Sequence, residues 1–304
     1  MRDWSRVREL RPYGADPPAI PAGGAGKRGY LRLGFEREAS GRSVLRQWER
    51  RAPMIVQQAL YFDEQMPQMP CVYILSSGGP YVDGDRYRQE IHLACGATAR
   101  ISTGAATKVA RMRYNFAALE QQITLEEGAY LEWVPEPTIP AAHSRLCVRT
   151  ELTVDPSATL FFAETYLSGR RYHHEERFAY DLLSLALQVR RPNRTMLYRE
   201  KQLVRPHLFP PARLGVMGEY EVFANLLILL PEEPMQALGA DLRPFRDEER
   251  GVALSVLTLP EGGGFCCRVL GRSSEAVKRE VWRIGSRVRY GVQGKIWPEE
   301  FPWR

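Results

Sequence analysis

Three segments of this chain repeat one pattern. Residues 91–101, 123–133 and 152–162 each read apolar-polar-apolar, then a two-residue break, then a small pair (Gly96-Ala97, Gly128-Ala129, Ser157-Ala158), then alternation again. Alternation with a period of two is the mark of a strand, and the small pair leaves room only for a tight turn. The copies recur at offsets of 32 and 29 residues. A strand-turn-strand unit at that period cannot bury its apolar face alone, so the pattern predicts stacked β units with equivalent turns aligned in space. Such a stack makes a surface or a conduit before it makes an active site.

The chain has 304 residues, is 44% hydrophobic and 26% charged, and carries a net charge of +6. That length can bury a large core. The basic excess is dispersed. Its densest spots are pairs such as Arg170-Arg171 and Arg190-Arg191, which reads as a solvated face rather than a nucleic-acid footprint. Five cysteines, at 71, 95, 147, 266 and 267, form no CxxC pair. The odd count argues against a disulfide framework or structural zinc and fits the reducing cytoplasm. Neighbours on a strand face opposite ways, so Cys266 and Cys267 are expected one buried and one exposed. The N-terminus lacks the apolar core of a secretory signal. The longest apolar stretch, 222–230, contains Asn225 and is too short to span a bilayer.

Prolines and glycines crowd the first 28 residues, which read as a flexible arm ahead of a single domain over 29–304. Residues 30–35 and 43–48 alternate on either side of Ser40-Gly41 and predict a hairpin. Further strands are expected over 54–60 and 72–75. The segment 178–189 is ambiguous; its apolar residues fit a short helix. In the last third, 220–230, 252–259 and 265–270 read as strands, the last two around a turn at 261–264. Residues 232–242 read as a helix, and Ser273 or Ser274 caps a second one with Ala276, Val277, Val281, Trp282 and Ile284 as its apolar stripe. The fold class is therefore mainly β: stacked sheets of repeated hairpin-like units with two α-helices in the C-terminal third.

Four places carry polar chemistry. In the glycine-rich segment 77–86, Asp85 either presents a carboxylate at a tunnel mouth or ties a turn by accepting from backbone amides; no helix follows that would make it a phosphate cradle. The segment 102–109, with Thr107 and Lys108, reads as packed turns with polar atoms turned inward. Glu164 follows the apolar run Leu160-Phe161-Phe162-Ala163, at the third copy's counterpart of Thr103 and Pro135. A charge there is expected to be paired or to line water. Glu200 sits between Arg199 and Lys201, where a surface ion pair is the plain reading. His173-His174 lies among charged residues and reads as an exposed loop, while His143 and His207 stand alone. No HExxH, Walker or nucleophile-base pattern is present, so the chain is read as a non-enzyme.

Taken together, Gly78-Gly79 with Gly84-Asp85-Arg86, Ala105-Ala106-Thr107-Lys108-Val109, Leu131-Glu132-Trp133-Val134-Pro135 and the ending from Val281-Trp282 to Ile296-Trp297 are specific. The chain resembles the UreD (UreH) family of urease accessory proteins over most of its length. The resemblance implies a non-enzymatic maturation factor that binds apo-urease and UreF, with the GTPase UreG recruited through UreF. It implies neither nucleic acid nor membrane as partner, and no tightly bound cofactor. It also implies an internal, water-filled route by which nickel(II) passes in transit to the urease active site, lined by the residues matching Asp85, Thr107, Glu164 and Glu200. On that reading Asp85 and Glu164 steer the ion, which keeps several waters, and Thr107 bonds those waters. Partner contacts are expected from the last third, including Trp282 and the tail through Trp303 and Arg304. The chain departs from the family pattern at Asp83, Thr107, Glu136, Glu164 and the segment 170–176. The alternative is an interaction scaffold without an ion route, its carboxylates only tying turns together.

Overall fold

The computed structural model describes residues 3, 4, 6–15, 24–173, 176–260 and 263–299. Its strands in chain order are β1 (Arg28–Arg37), β2 (Ser43–Arg51), β3 (Met54–Val56), β4 (Cys71–Ser76), β5 (Arg86–Leu93), β6 (Thr98–Thr103), β7 (Thr107–Val109), β8 (Ala117–Leu125) and β9 (Tyr130–Trp133). They continue as β10 (Thr138–Pro140), β11 (Arg145–Val154), β12 (Thr159–Leu167), β13 (Leu182–Arg190), β14 (Met196–Val204), β15 (Val222–Leu229), β16 (Phe245–Asp247), β17 (Val252–Thr258) and β18 (Phe265–Gly271). Two α-helices, α1 (Glu232–Asp241) and α2 (Ser274–Gln293), lie in the C-terminal third as expected.

The three-fold repeat is a three-step stack. Each copy sends its first strand (β5, β8, β11) into one sheet and its second (β6, β9, β12) into another, and each strand pairs in parallel with its counterpart in the next copy. The unit is thus an arch between two sheets, whose strands pair with neighbouring copies rather than with each other. The register follows the sequence offsets: Ile91 faces Ile123 and Ile123 faces Leu152, while Ile101 faces Trp133 and Trp133 faces Phe162. All three turns close alike, Ala97 N, Ala129 N and Ala158 N donating to Ala94 O, Glu126 O and Asp155 O. Gly96 and Gly128 both take φ of 65°, which a Cβ disfavours. The third turn has Ser157 instead and is held by Asp155, whose Oδ1 accepts from Ser157 N and Oγ.

The first sheet runs β14-β13-β11-β8-β5-β1-β2, parallel inside with an antiparallel strand at each edge. The second runs β16-β17-β18-β15-β12-β9-β6-β4-β3, with β10 joined to β12 and β7 to β10. The predicted hairpin over 30–48 is β1–β2, with Leu33 opposite Trp48. The ambiguous segment 178–189 becomes β13, because β11 offers it a full parallel edge. The strand expected over 54–60 ends at Val56 and resumes only as a bridge from Leu60 to Cys71.

The main core lies between the sheets, with Leu33, Ile91, Ile123, Leu152, Leu131 and Leu160 among its buried members. A second core lies on the far face of the second sheet, where α1 and α2 cover Ala224, Ile228, Cys267 and Val269. Ser273 is the cap of α2, its Oγ accepting from Ala276 N, and the expected apolar stripe is buried except for half-buried Trp282. The adjacent cysteines do face opposite ways, but both are buried: Cys266 in the inter-sheet core and Cys267 beneath the helices. All five cysteines are free. The reading of 1–28 as a flexible arm does not hold for its packed part. Residues 8–13 form a 3-10 turn, and Trp4 and Leu10 bury against Phe116, Ala118, Cys147 and Leu182 on the outer face of the first sheet. Glu9 there accepts from Ser184 Oγ and pairs with Lys201 Nζ. Residues 16–23 of that arm, His174, residues 261–262 and the tail at Trp303 and Arg304 lie outside the described residues. Among the described residues no helix is long and apolar enough to cross a membrane.

Candidate functional site

One polar rung crosses the otherwise apolar inner face of each sheet. On the first sheet Gln89, Gln121 and Thr150 stand in register, each in the inward phase of its strand and each buried. They bond to one another: Thr150 Oγ1 donates to Gln121 Oε1 at 2.7 Å and Gln121 Nε2 to Gln89 Oε1 at 3.4 Å. Two strands on, past Leu187, the same row reaches Glu200. On the second sheet Glu164, Asn225 and Arg268 stand in register. Buried polar groups demand partners, and these rungs find them partly in each other. Asn225 Nδ2 donates to Gln202 Oε1 at 2.7 Å, and Arg268 pairs with Glu200.

Cavities follow the facing rungs. One of about 50 Å³ is lined by Gln89, Thr103, Thr107, Gln121, Glu136, Glu164 and Tyr166. Another of about 30 Å³ is lined by Thr150, Glu164, Glu200, Gln202, Asn225 and Arg268. Glu164 and Val148 belong to both walls. The first cavity shares Tyr81, Gln89, Thr103 and Thr107 with an outer groove of about 540 Å³. The second shares Gln202 and Arg268 with an outer groove of about 550 Å³. Each inner cavity thus shares wall residues with the other and with one outer groove.

Glu164 is the chemically distinctive group of this row. Its carboxylate accepts from Tyr166 OH at 2.9 Å. Burial pushes its pKa up to about 7, against which the hydrogen bonds from Tyr166 and Gln121 work only partly. It therefore holds its proton to higher pH than an ordinary carboxyl does. Glu200 is neutralised from the opposite sheet by Arg268 and accepts from Tyr198 OH at 2.8 Å. The surface pair with Arg199 or Lys201 is not formed; Lys201 turns outward to Glu9.

Thr107 and Glu164 share one cavity and Glu164 and Glu200 the other, but Asp85 lies apart. Its side chain is fully buried and saturated, accepting from Lys27 N, Val82 N and Tyr87 OH and pairing with Lys27 Nζ at 2.9 Å. This is the turn-tying role: every contact on the carboxylate comes from the chain's own Lys27, Val82 and Tyr87. Through Tyr87, which lines the first groove beside Tyr81, it acts only as a support for that wall. Asp83 likewise caps a loop, accepting from the amides of Arg113, Tyr114 and Asn115. Trp282 is taken up within the fold, its Nε1 donating to Pro298 O.

The rung on the first sheet was legible in the sequence. Gln89, Gln121 and Thr150 keep the same offsets of 32 and 29 residues, two positions ahead of where the apolar echo begins. Each interrupts an inward apolar row, Tyr87-x-Gln89-x-Ile91 for the first. His143 and His207, which look isolated in the chain, are brought together at Asp181.

The UreD urease accessory protein family model matches residues 27–301. Over 299 residues the chain is 42% identical to urease accessory protein UreD 2 of Brucella suis biovar 1, an alignment covering 98% of this chain and 99% of that one. It is 39% identical over 300 residues to urease accessory protein UreD of Photorhabdus laumondii subsp. laumondii, with 97% and 92% covered. The corresponding protein of Yersinia pseudotuberculosis serotype O:1b is 36% identical over 297 residues, with 97% and 92% covered.

Proposed function

The chain belongs to the UreD family of urease accessory proteins, and from that premise we propose that it serves urease maturation as a cytoplasmic, non-enzymatic scaffold that passes nickel(II) between its sheets. On this reading it binds apo-urease and UreF, with UreG recruited through UreF. The observation that carries the ion route is Glu164, a half-buried carboxylate with no cationic partner among the described residues, in the common wall of two cavities that each share wall residues with an outer groove. Phe209 and Val216 are exposed in the wall of one of these grooves and offer apolar surface to a protein partner.

The cavity sizes constrain the chemistry. A water needs about 10–15 Å³ of such space, so the inner cavities hold only a few each. Nickel(II) takes about six ligands and cannot cross them with a full hydration shell. It would exchange some waters for the Glu164 carboxylate and the amide oxygens of Gln202 and Asn225. Oxygen donors without a thiolate or imidazole hold a borderline cation weakly enough to release it.

Glu164→Gln keeps the shape and removes the charge. In cells expressing urease with its accessory proteins, this variant is expected to assemble normally and leave urease poor in nickel. Normal nickel content with normal assembly would defeat the ion route. The second reading, a scaffold without an ion path, is favoured by the Glu200–Arg268 pair, which places a fixed cation in the inner cavity. It predicts that Glu164→Gln changes nickel content only as far as it changes assembly.

A further inference from the structure

His143 precedes β11, Asp181 precedes β13 and His207 follows β14, yet their side chains converge. His143 Nδ1 lies 3.2 Å and His207 Nε2 3.5 Å from the same atom, Asp181 Oδ1, and all three donor atoms fall within 4.8 Å of one another. Two donors at zinc-like bond lengths and a tetrahedral angle stand about 3.3 Å apart, so two edges of this triangle already match a coordination shell. The other carboxylate oxygen is engaged from behind by Arg145 Nε at 3.0 Å and Nη2 at 2.8 Å, which fixes its orientation as an outer-shell partner does. The imidazoles lie nearly parallel, with ring centres 6.5 Å apart. His143 holds φ at 57°, a left-handed conformation uncommon outside glycine, and its N–H donates to Ala179 O. Backbone strain of this kind gathers where a side chain is held for a purpose.

A simple ion pair accounts for one histidine on this carboxylate. Two imidazolium rings side by side would repel, whereas one cation can take a lone pair from each neutral ring and from Asp181. We infer that His143, Asp181 and His207 form a surface site for a borderline divalent transition-metal ion, nickel(II) or zinc(II), with water in its remaining positions. Two imidazoles and one carboxylate favour such ions over magnesium or calcium. The histidine side chains are 48% and 60% exposed, so the ion is reachable from solvent. His207 lies between Arg205 and Phe209, both in the wall of the 550 Å³ groove, so the site flanks that end of the row of cavities. The inference does not rest on ion passage through the interior.

Titration calorimetry of the full chain with nickel(II), zinc(II) and magnesium(II), each alone, tests it. One equivalent of nickel(II) or zinc(II) is expected to bind, and magnesium(II) is expected not to. His143→Asn, a residue that tolerates the left-handed backbone, and His207→Ala should each remove that equivalent. Glu164→Gln should retain it, which separates this site from the interior carboxylate. Unchanged stoichiometry and affinity in the variant carrying both His143→Asn and His207→Ala would overturn the assignment, as would equal binding of magnesium(II).

Discussion

Arg289 and Glu132 stand 157 positions apart and meet in a fully buried, two-pronged ion pair, Nε to Oε1 at 2.7 Å and Nη2 to Oε2 at 2.8 Å. The pair joins α2 to the middle of the second sheet. Around it, Arg100 Nη1, Tyr130 OH and Trp297 Nε1 also donate to Glu132, and Arg289 Nη1 reaches Asp63 Oδ2 at 2.6 Å. Two strands, the last helix, the segment after it and the loop ahead of β4 are thereby tied at one carboxylate. A buried charge is tolerable when its lone pairs are all used, and here they are.

Removing one member should therefore cost far more than a surface pair would. Arg289→Ala leaves Glu132 and Asp63 short of a cation and is expected to destabilise the fold by about 3–5 kcal/mol. Urea denaturation measures it; a loss under about 1 kcal/mol, as for an exposed pair, would contradict the reading.

Glu132 and Glu164 should bend the stability profile in opposite directions. Burial alone would raise Glu132, but Arg289 and Arg100 outweigh it and hold its pKa at about 2 rather than 4.5. Its contribution is present above the ordinary carboxyl value and is lost as pH falls from 4.5 towards 2. Glu164, raised to about 7 by burial, contributes most below 4.5 and loses that contribution as pH rises through 7. Glu164→Gln should accordingly be more stable than the parent above pH 7 and lack this slope. Parallel melting profiles for the two proteins across the neutral range would refute the raised value.

Val148 is buried in the common wall of both inner cavities. Val148→Phe should fill their junction, with an overpacking cost of about 1–3 kcal/mol. If ions pass here, complexes carrying this variant assemble and urease receives little nickel. The two measurements are pull-down of the partners and nickel content of the isolated urease.

Gly285→Ala reverses an ordinary rule. Alanine normally stabilises a helix interior by about 1 kcal/mol over glycine. In α2, however, a Cβ at position 285 would lie 2.2 Å from the Trp297 ring. That ring packs edge-on to Phe161 and donates to Glu132, so it has no room to retreat. The variant is expected to melt below the parent; an unchanged or higher midpoint would show that Trp297 can move.

Much of the architecture was legible because repetition and alternation are local. The echo at Ile91, Ile123 and Leu152 specified strands and aligned turns, while the pairing of each strand with its counterpart in the next copy, rather than within its own unit, came from the tertiary structure. Glu164 stood out for the same reason, a charge in an inward apolar row. The sequence around Asp85 left two roles open, because composition cannot tell a carboxylate that faces a cavity from one tied into its own turn; the contacts from Lys27 and Val82 are those of the second.

What the chain alone determined is the repeated strands, both α-helices and which of their faces are apolar, because side-chain period and turn geometry act over a few residues. Only tertiary structure decided which charges meet: Arg289 with Glu132, Arg268 with Glu200, and two distant histidines with Asp181. Those encounters depend on how separate strands and loops are brought side by side, and electrostatic attraction carries no trace in local sequence of the partner it will find.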